Sequence, residues 1–216
     1  MSDSRTTPML TTLPNLLTFS RIVAIPLVVV TFYLPSPYGH WIGCVLFALA
    51  GFTDWLDGKL ARLWQQQSEL GRFLDPIADK LLVVAVLFML GALQLQRQEP
   101  PGHLALTLLY ILPALVIVSR EILVSGLREY LAGLRVRVPV SRLAKWKTGI
   151  QMGAIGVLLV GDAGPSGLPL IVIGELMLWA AAVLTIITGY DYLRAGLTHI
   201  NDEEPSVKAA KPSGAA

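Results

Sequence analysis

Charge, thiols and imidazoles are all scarce in this chain. Of its 216 residues 15% are charged and 54% hydrophobic, where a soluble domain carries about 25% charged residues. That excludes an ordinary water-soluble globule. The single cysteine, Cys44, cannot close an intrachain disulfide, and without a CxxC pair the chain has neither a disulfide scaffold nor a thiolate metal site. His40, His103 and His199 lie far apart without ligand spacing, so zinc chemistry is not indicated. The formal net charge of +2 says little, because in a membrane protein the placement of positive residues matters more than their sum. No nucleic-acid partner is expected.

What the chain does have is apolar length, with a mean hydropathy of +0.61. A bilayer core about 30 Å thick needs about 20 largely apolar residues at about 1.5 Å rise each. Six stretches reach that length, near 15–34, 41–63, 73–95, 104–130, 142–161 and 168–196. Pro35, Pro37, Pro100, Pro101, Pro165 and Pro169, with nearby glycines, break the pattern between them. The sequence thus predicts an all-α integral membrane protein of six transmembrane helices. Its parts are an N-terminal segment 1–14, a membrane domain 15–196 and a tail 197–216 that is polar, aperiodic from Asn201 and expected to be disordered. The polar first dozen residues precede an apolar stretch with no small-residue cleavage site, so no cleaved signal peptide is expected. No internal repeat is visible.

Positive charge alternates between connections. Segments 35–40 and 162–167 contain no Lys or Arg and 96–103 only Arg97, whereas 128–147 holds Arg128, Arg135, Arg137, Arg142, Lys145 and Lys147. By the positive-inside rule 58–72, 128–147 and both termini face the cytoplasm, in a multi-pass arrangement.

A charge inside a membrane helix costs roughly 2.5–3.5 kcal/mol on insertion scales, so such residues mark function. Here Asp54 and Asp57, three apart, and Asp75 and Asp79, four apart, each share a helix face at the ends of two successive apolar helices. A hairpin of those helices brings four carboxylates together, and their repulsion calls for cations. Two divalent ions balance four carboxylates, and all-oxygen ligands favour Mg²⁺ or Mn²⁺. Gly58 and Ala61 continue that face with small residues that leave space for a ligand. Arg62 adds a cation suited to phosphate, so metal and arginine together point to phosphoryl chemistry. Intramembrane carboxylates also mark ion pathways, but four acids near one face, with no repeated broken-helix halves, argue against a transporter.

Arg120, Arg128, Lys145 and Lys147 lie near the ends of the fourth and fifth helices on the same side, where an anionic soluble substrate must arrive from water. Arg120 falls well inside an apolar stretch with Glu121 beside it as an orienting partner. Arg21, with Thr18 one turn away, is a secondary candidate of the same kind, while Glu175 has no motif around it and is given no role.

Residues 54–79 read D-x2-D-G-x2-A-R-x8-G-x3-D-x3-D without departure, in Asp54, Asp57, Gly58, Ala61, Arg62, Gly71, Asp75 and Asp79. Eight positions at fixed spacing resemble the signature of the CDP-alcohol phosphotransferases. The resemblance implies six transmembrane helices, a divalent-metal site built from the four aspartates, and a homodimer. It further implies that the CDP part of a lipid donor binds over Gly58, Ala61 and Arg62, with Gly71 in the same group, and that Asp79 is the general base. The flanking stretches PNLLTFSR at 14–21, SREI at 119–122, GLRE at 126–129 and KWKT at 145–148 look like those of bacterial members that make phosphatidylglycerophosphate. They imply a bacterial inner-membrane enzyme with CDP-diacylglycerol as donor, sn-glycerol 3-phosphate as acceptor and CMP as leaving group. Serine, inositol phosphate or phosphatidylglycerol as acceptor is the alternative within the family.

Overall fold

The computed structural model describes residues 13–64, 69–97, 104–133 and 142–209. These form six helices, α1 Leu13–Thr31, α2 Tyr38–Trp64, α3 Glu69–Arg97, α4 Leu104–Gly133, α5 Arg142–Val160 and α6 Leu170–Ala209, with one 3-10 turn at Gly161–Ala163. No strand occurs among the described residues. The bundle is held chiefly by α5 against α6, α1 against α2, α4 against α6 and α1 against α3.

Three helices contain stretches long and apolar enough to cross a membrane, Leu74–Gln96, Leu108–Gly133 and Leu170–Arg194, which marks the chain as a membrane protein. The sequence predicts six spans; the other three helices fall short for identifiable reasons. Among the described residues the apolar stretch of α1 is Leu16–Thr31. In α2 the apolar stretch stops at Asp54 and Asp57, and in α5 it begins only after Arg142, Lys145 and Lys147. A second difference concerns the chain's end. The last helix runs to Ala209, so residues 201–209, expected in an irregular tail, continue it.

Among the described residues, the breaks after α1 and after α5 fall where Pro35, Pro37, Pro165 and Pro169 predict them. After α5, Gly161 adopts φ +47°, a left-handed conformation that L side chains avoid and that ends a helix without strain. Nearby, Trp41 Nε1 donates to Ala163 O (3.1 Å) and His40 Nδ1 lies 2.9 Å from Leu159 O, tying the start of α2 to the end of α5. His103 lies outside the described residues.

The core is apolar, with Val28, Leu82, Val86, Ile117, Ile155 and Leu178 almost wholly buried. The outer faces are apolar too: Leu27, Val45, Phe88, Leu115, Leu176 and Ile186 are exposed, as suits helices surrounded by hydrocarbon. Small residues set the closest approaches, since a Cβ on Gly174 of α6 would lie 2.6 Å from Leu158 Cγ on α5. Gly174→Ala should therefore lower stability by about 1–3 kcal/mol through overpacking. Gly126→Ala, where an added Cβ meets nothing within 4 Å, should not. Thermal unfolding of the two purified variants checks this; equal midpoints would show that the α5–α6 contact yields easily.

Candidate active site

The charged residues of five helices meet at one end of the bundle, and α1 is what joins the acidic ones. Arg21 is completely buried, with Nη1 2.6 Å from Asp54 Oδ1 and Nη2 donating to Asp57 Oδ2. One turn earlier, Thr18 Oγ1 donates to Asp75 Oδ1 on α3. The side chain of Asp57 is 6% exposed and that of Asp54 42%, so the guanidinium serves one deeply buried carboxylate and one that reaches open space. A planar fork with donors on both terminal nitrogens is suited to bridging two carboxylates, which an ammonium is not.

The hairpin expected from sequence needs correction here. Helices α2 and α3 touch only slightly, whereas α1 packs along both. Asp54 and Asp57 are thus held by Arg21 and Asp75 by Thr18, while Asp54, Asp75 and Asp79 still line one cavity. Among the described residues no three His, Cys, Asp or Glu side chains stand as a ready-made metal-binding group. Their chemistry still suits a hard divalent ion. All the donors are carboxylate oxygens, and the nearby cations Arg21 and Lys80 leave the four acids with an excess of negative charge.

A cavity of about 590 Å³ opens beside this cluster. Asp54, Asp75, Asp79 and Lys80 line its acidic wall. Asp79 makes no ion pair among the described residues, while Lys80 Nζ turns to donate to Pro76 O (2.9 Å). The facing wall is basic, with Arg120 and Arg128 from α4 and Lys145 and Lys147 from α5. All four basic candidates therefore share one space with three of the four aspartates.

Each basic group has a distinct setting. Lys147 is buried and its Nζ donates to Glu121 Oε1, so Glu121 serves Lys147 more closely than Arg120, whose Nη1 is 3.6 Å away. Arg120 instead donates from Nη2 to Thr188 Oγ1 on α6 at 3.0 Å. The Arg128 guanidinium stands 5.5 Å over the ring of Tyr192, also on α6. Lys145 is exposed at the rim. Thr188 and Tyr192 carry no charge and no motif, and nothing in the sequence singles them out.

The small residues expected beneath a nucleotide are only partly described. A Cβ on Gly58 would meet nothing within 4 Å, so open space lies over that turn of α2. Gly71 is buried, and the side chains of Ala61 and Arg62 lie outside the described residues, as do Arg135 and Arg137. Glu175 is remote from this cavity, accepting from Gln94 Nε2 at 3.4 Å.

Removing Arg21 leaves Asp57 buried without its partner, which costs about 3–5 kcal/mol. Arg21→Ala should unfold at a clearly lower temperature than the parent, and Arg21→Lys should recover only part of the loss. A midpoint unchanged in Arg21→Ala would show that the three helices do not depend on this ion pair.

Comparison with known proteins agrees with the motif. A model of the CDP-alcohol phosphatidyltransferase family matches residues 11–187. A Rickettsia bellii protein named CDP-diacylglycerol–glycerol-3-phosphate 3-phosphatidyltransferase is 48% identical over 183 residues, 85% of this chain and 94% of its own. Proteins of the same name from Cereibacter sphaeroides and Haemophilus influenzae are 37% and 40% identical, covering 89% and 84% of this chain and 98% and 91% of their own. With the aspartate signature intact on α2 and α3 and a matching family model over most of its length, the chain belongs to the CDP-alcohol phosphatidyltransferase family.

Proposed function

We propose that this enzyme transfers a phosphatidyl group from CDP-diacylglycerol to sn-glycerol 3-phosphate, giving phosphatidylglycerophosphate and CMP. The observation that carries the proposal is the cavity whose one wall presents Asp54, Asp75 and Asp79 and whose other presents Arg120, Arg128, Lys145 and Lys147. Relatives named for this reaction, at up to 48% identity, point to the same donor and acceptor.

In this arrangement all six helices cross a bacterial inner membrane, with the cavity and both termini on the cytoplasmic side. The Lys and Arg residues of 128–147 support that orientation. Acyl chains stay in lipid while the polar headgroup enters the cavity, which is why so small an enzyme is nearly all membrane. The family resemblance supports a homodimer.

Members of the family generally use divalent ions. Asp54, Asp57, Asp75 and Asp79 would hold them here, Mg²⁺ or Mn²⁺ and two in number, supplying charge neutralisation for the donor's pyrophosphate. For Asp57 to take part, Arg21 must give up its hold on that carboxylate. The nucleotide lies over Gly58, Ala61 and Arg62, with Gly71 close by, where the missing side chain of Gly58 leaves room.

The basic wall receives the acceptor's phosphate. Arg120 and Arg128 offer forked donors, and Lys145 at the rim draws the dianion in from water. Asp79, without an ion pair among the described residues, takes the proton from the 1-hydroxyl of glycerol 3-phosphate. That oxygen attacks the lipid-side phosphorus, its new P–O bond forming as the bond to the CMP oxygen breaks. The electron pair leaves on CMP, and no covalent intermediate with the protein is needed.

General-base catalysis contributes about 10²–10⁴-fold. Asp79→Asn should therefore lower CMP release from CDP-diacylglycerol and glycerol 3-phosphate by at least about a hundredfold, with the protein still folded. Turnover near that of the parent would remove the base assignment. Lys147→Ala tests the basic wall separately: with Glu121 left to Arg120 alone, it should weaken glycerol 3-phosphate use more than donor use, as read from the two KM values.

A further inference from the structure

Among the described residues the sixth helix lends no charged side chain to the cavity wall, yet it seats one of the cations there, Arg120. Thr188 is 2% exposed, and its hydroxyl is committed in both directions. It donates to Leu184 O at 2.8 Å, which uses its only proton and leaves a lone pair to accept from Arg120 Nη2 at 3.0 Å. The next residue matters for a different reason. A Cβ on Gly189 would lie 3.0 Å from Arg120 Cγ and 3.3 Å from Arg120 Nε, so the arginine stem passes over bare backbone.

A guanidinium has five N–H donors. On Arg120 the aligned hydrogen bond goes to Thr188, the contact to Glu121 is long at 3.6 Å, and the buried Nε–H has no partner among the described residues. Unsatisfied charged donors in a cavity wall favour an anion. The missing side chain at position 189 lets the arginine stem and Nε lie directly against the α6 backbone, and the Thr188 hydroxyl fixes the plane of the group, whose Nη1 edge is left to the cavity. Both residues fall just beyond the stretch 11–187 matched by the family model.

We propose that Thr188 and Gly189 are positioning residues that hold Arg120 open toward the acceptor's phosphate, so that α6 governs acceptor affinity without touching the acceptor. The proposal rests on Arg120 as a phosphate ligand, and its test separates the two.

The experiment measures KM for glycerol 3-phosphate, KM for CDP-diacylglycerol and kcat on the full chain in mixed micelles. The variants are Gly189→Ala, Thr188→Val, Thr188→Ser and Arg120→Ala. Gly196→Ala, also on α6, serves as a packing control, because the nearest atoms to a Cβ there belong to Leu127 and Leu131, at 3.2–3.4 Å. Gly189→Ala and Thr188→Val should each raise KM for glycerol 3-phosphate about tenfold, the worth of one charge-assisted hydrogen bond. Donor KM should be unchanged, Thr188→Ser should behave as the parent, and Gly196→Ala should leave both KM values alone.

If Gly189→Ala does not fold, the Thr188→Val and Thr188→Ser pair decides. Arg120→Ala raising acceptor KM while Gly189→Ala and Thr188→Val do not would overturn the positioning role alone. Arg120→Ala leaving acceptor KM unchanged would overturn the phosphate ligand and the positioning role together. Equal rises in both KM values across all the α6 variants would mean loosened packing and would overturn it as well.

Discussion

The buried guanidinium of Arg21 is the contact on which the polar end of this bundle depends. It holds Asp54 and Asp57 on α2, while Thr18, one turn away on the same helix, holds Asp75 on α3. One face of α1 thereby fixes two helices that scarcely touch each other. A buried ion pair is weak evidence for stability, because desolvating both partners offsets much of their attraction. Its value here is in specificity. No apolar substitute could keep four acids of two helices around one end of an apolar bundle, and those acids are what a phosphoryl-transfer site requires.

A mixed-charge cavity follows from that constraint. With the acids gathered by α1, Asp54, Asp75 and Asp79 line a cavity of about 590 Å³ together with the cations of α4 and α5. Lys147 has the closer hold on Glu121, which Arg120 approaches at 3.6 Å. The result is one compartment with two kinds of affinity. The acidic side suits metal-borne pyrophosphate and the basic side a soluble phosphate ester, and their juxtaposition is what a transfer between two anionic substrates demands.

Much of this could be read from the chain. Apolar runs punctuated by Pro and Gly located five helices and the start of the sixth to within a few residues, because helix length and backbone breaks are local properties; the sixth runs on past its expected end at 196 to Ala209. The spacing of the eight signature residues gave the family for the same reason: three- and four-residue intervals define a helix face. Contacts between distant segments are not written in intervals. Thr18 reaches a residue 57 positions away and Arg21 one 36 positions away, so α1 figured only as a secondary candidate although it organises the acidic cluster. Thr188, Gly189 and Tyr192 were invisible for a different reason, since threonine, glycine and tyrosine are ordinary packing and interfacial residues in any membrane helix. The expectation of six spans also outran what apolar length alone supports, because the charged ends of α2 and α5 that build the site are what shorten their apolar stretches.

The most direct measurement is identification of the lipid formed when the purified protein receives CDP-diacylglycerol, Mg²⁺ and one acceptor at a time. With glycerol 3-phosphate the expected products are phosphatidylglycerophosphate and an equal amount of CMP; with serine, inositol phosphate or phosphatidylglycerol, no new lipid. A phosphatidyl product from one of those three acceptors, and none from glycerol 3-phosphate, would contradict the assignment of the basic wall to that substrate.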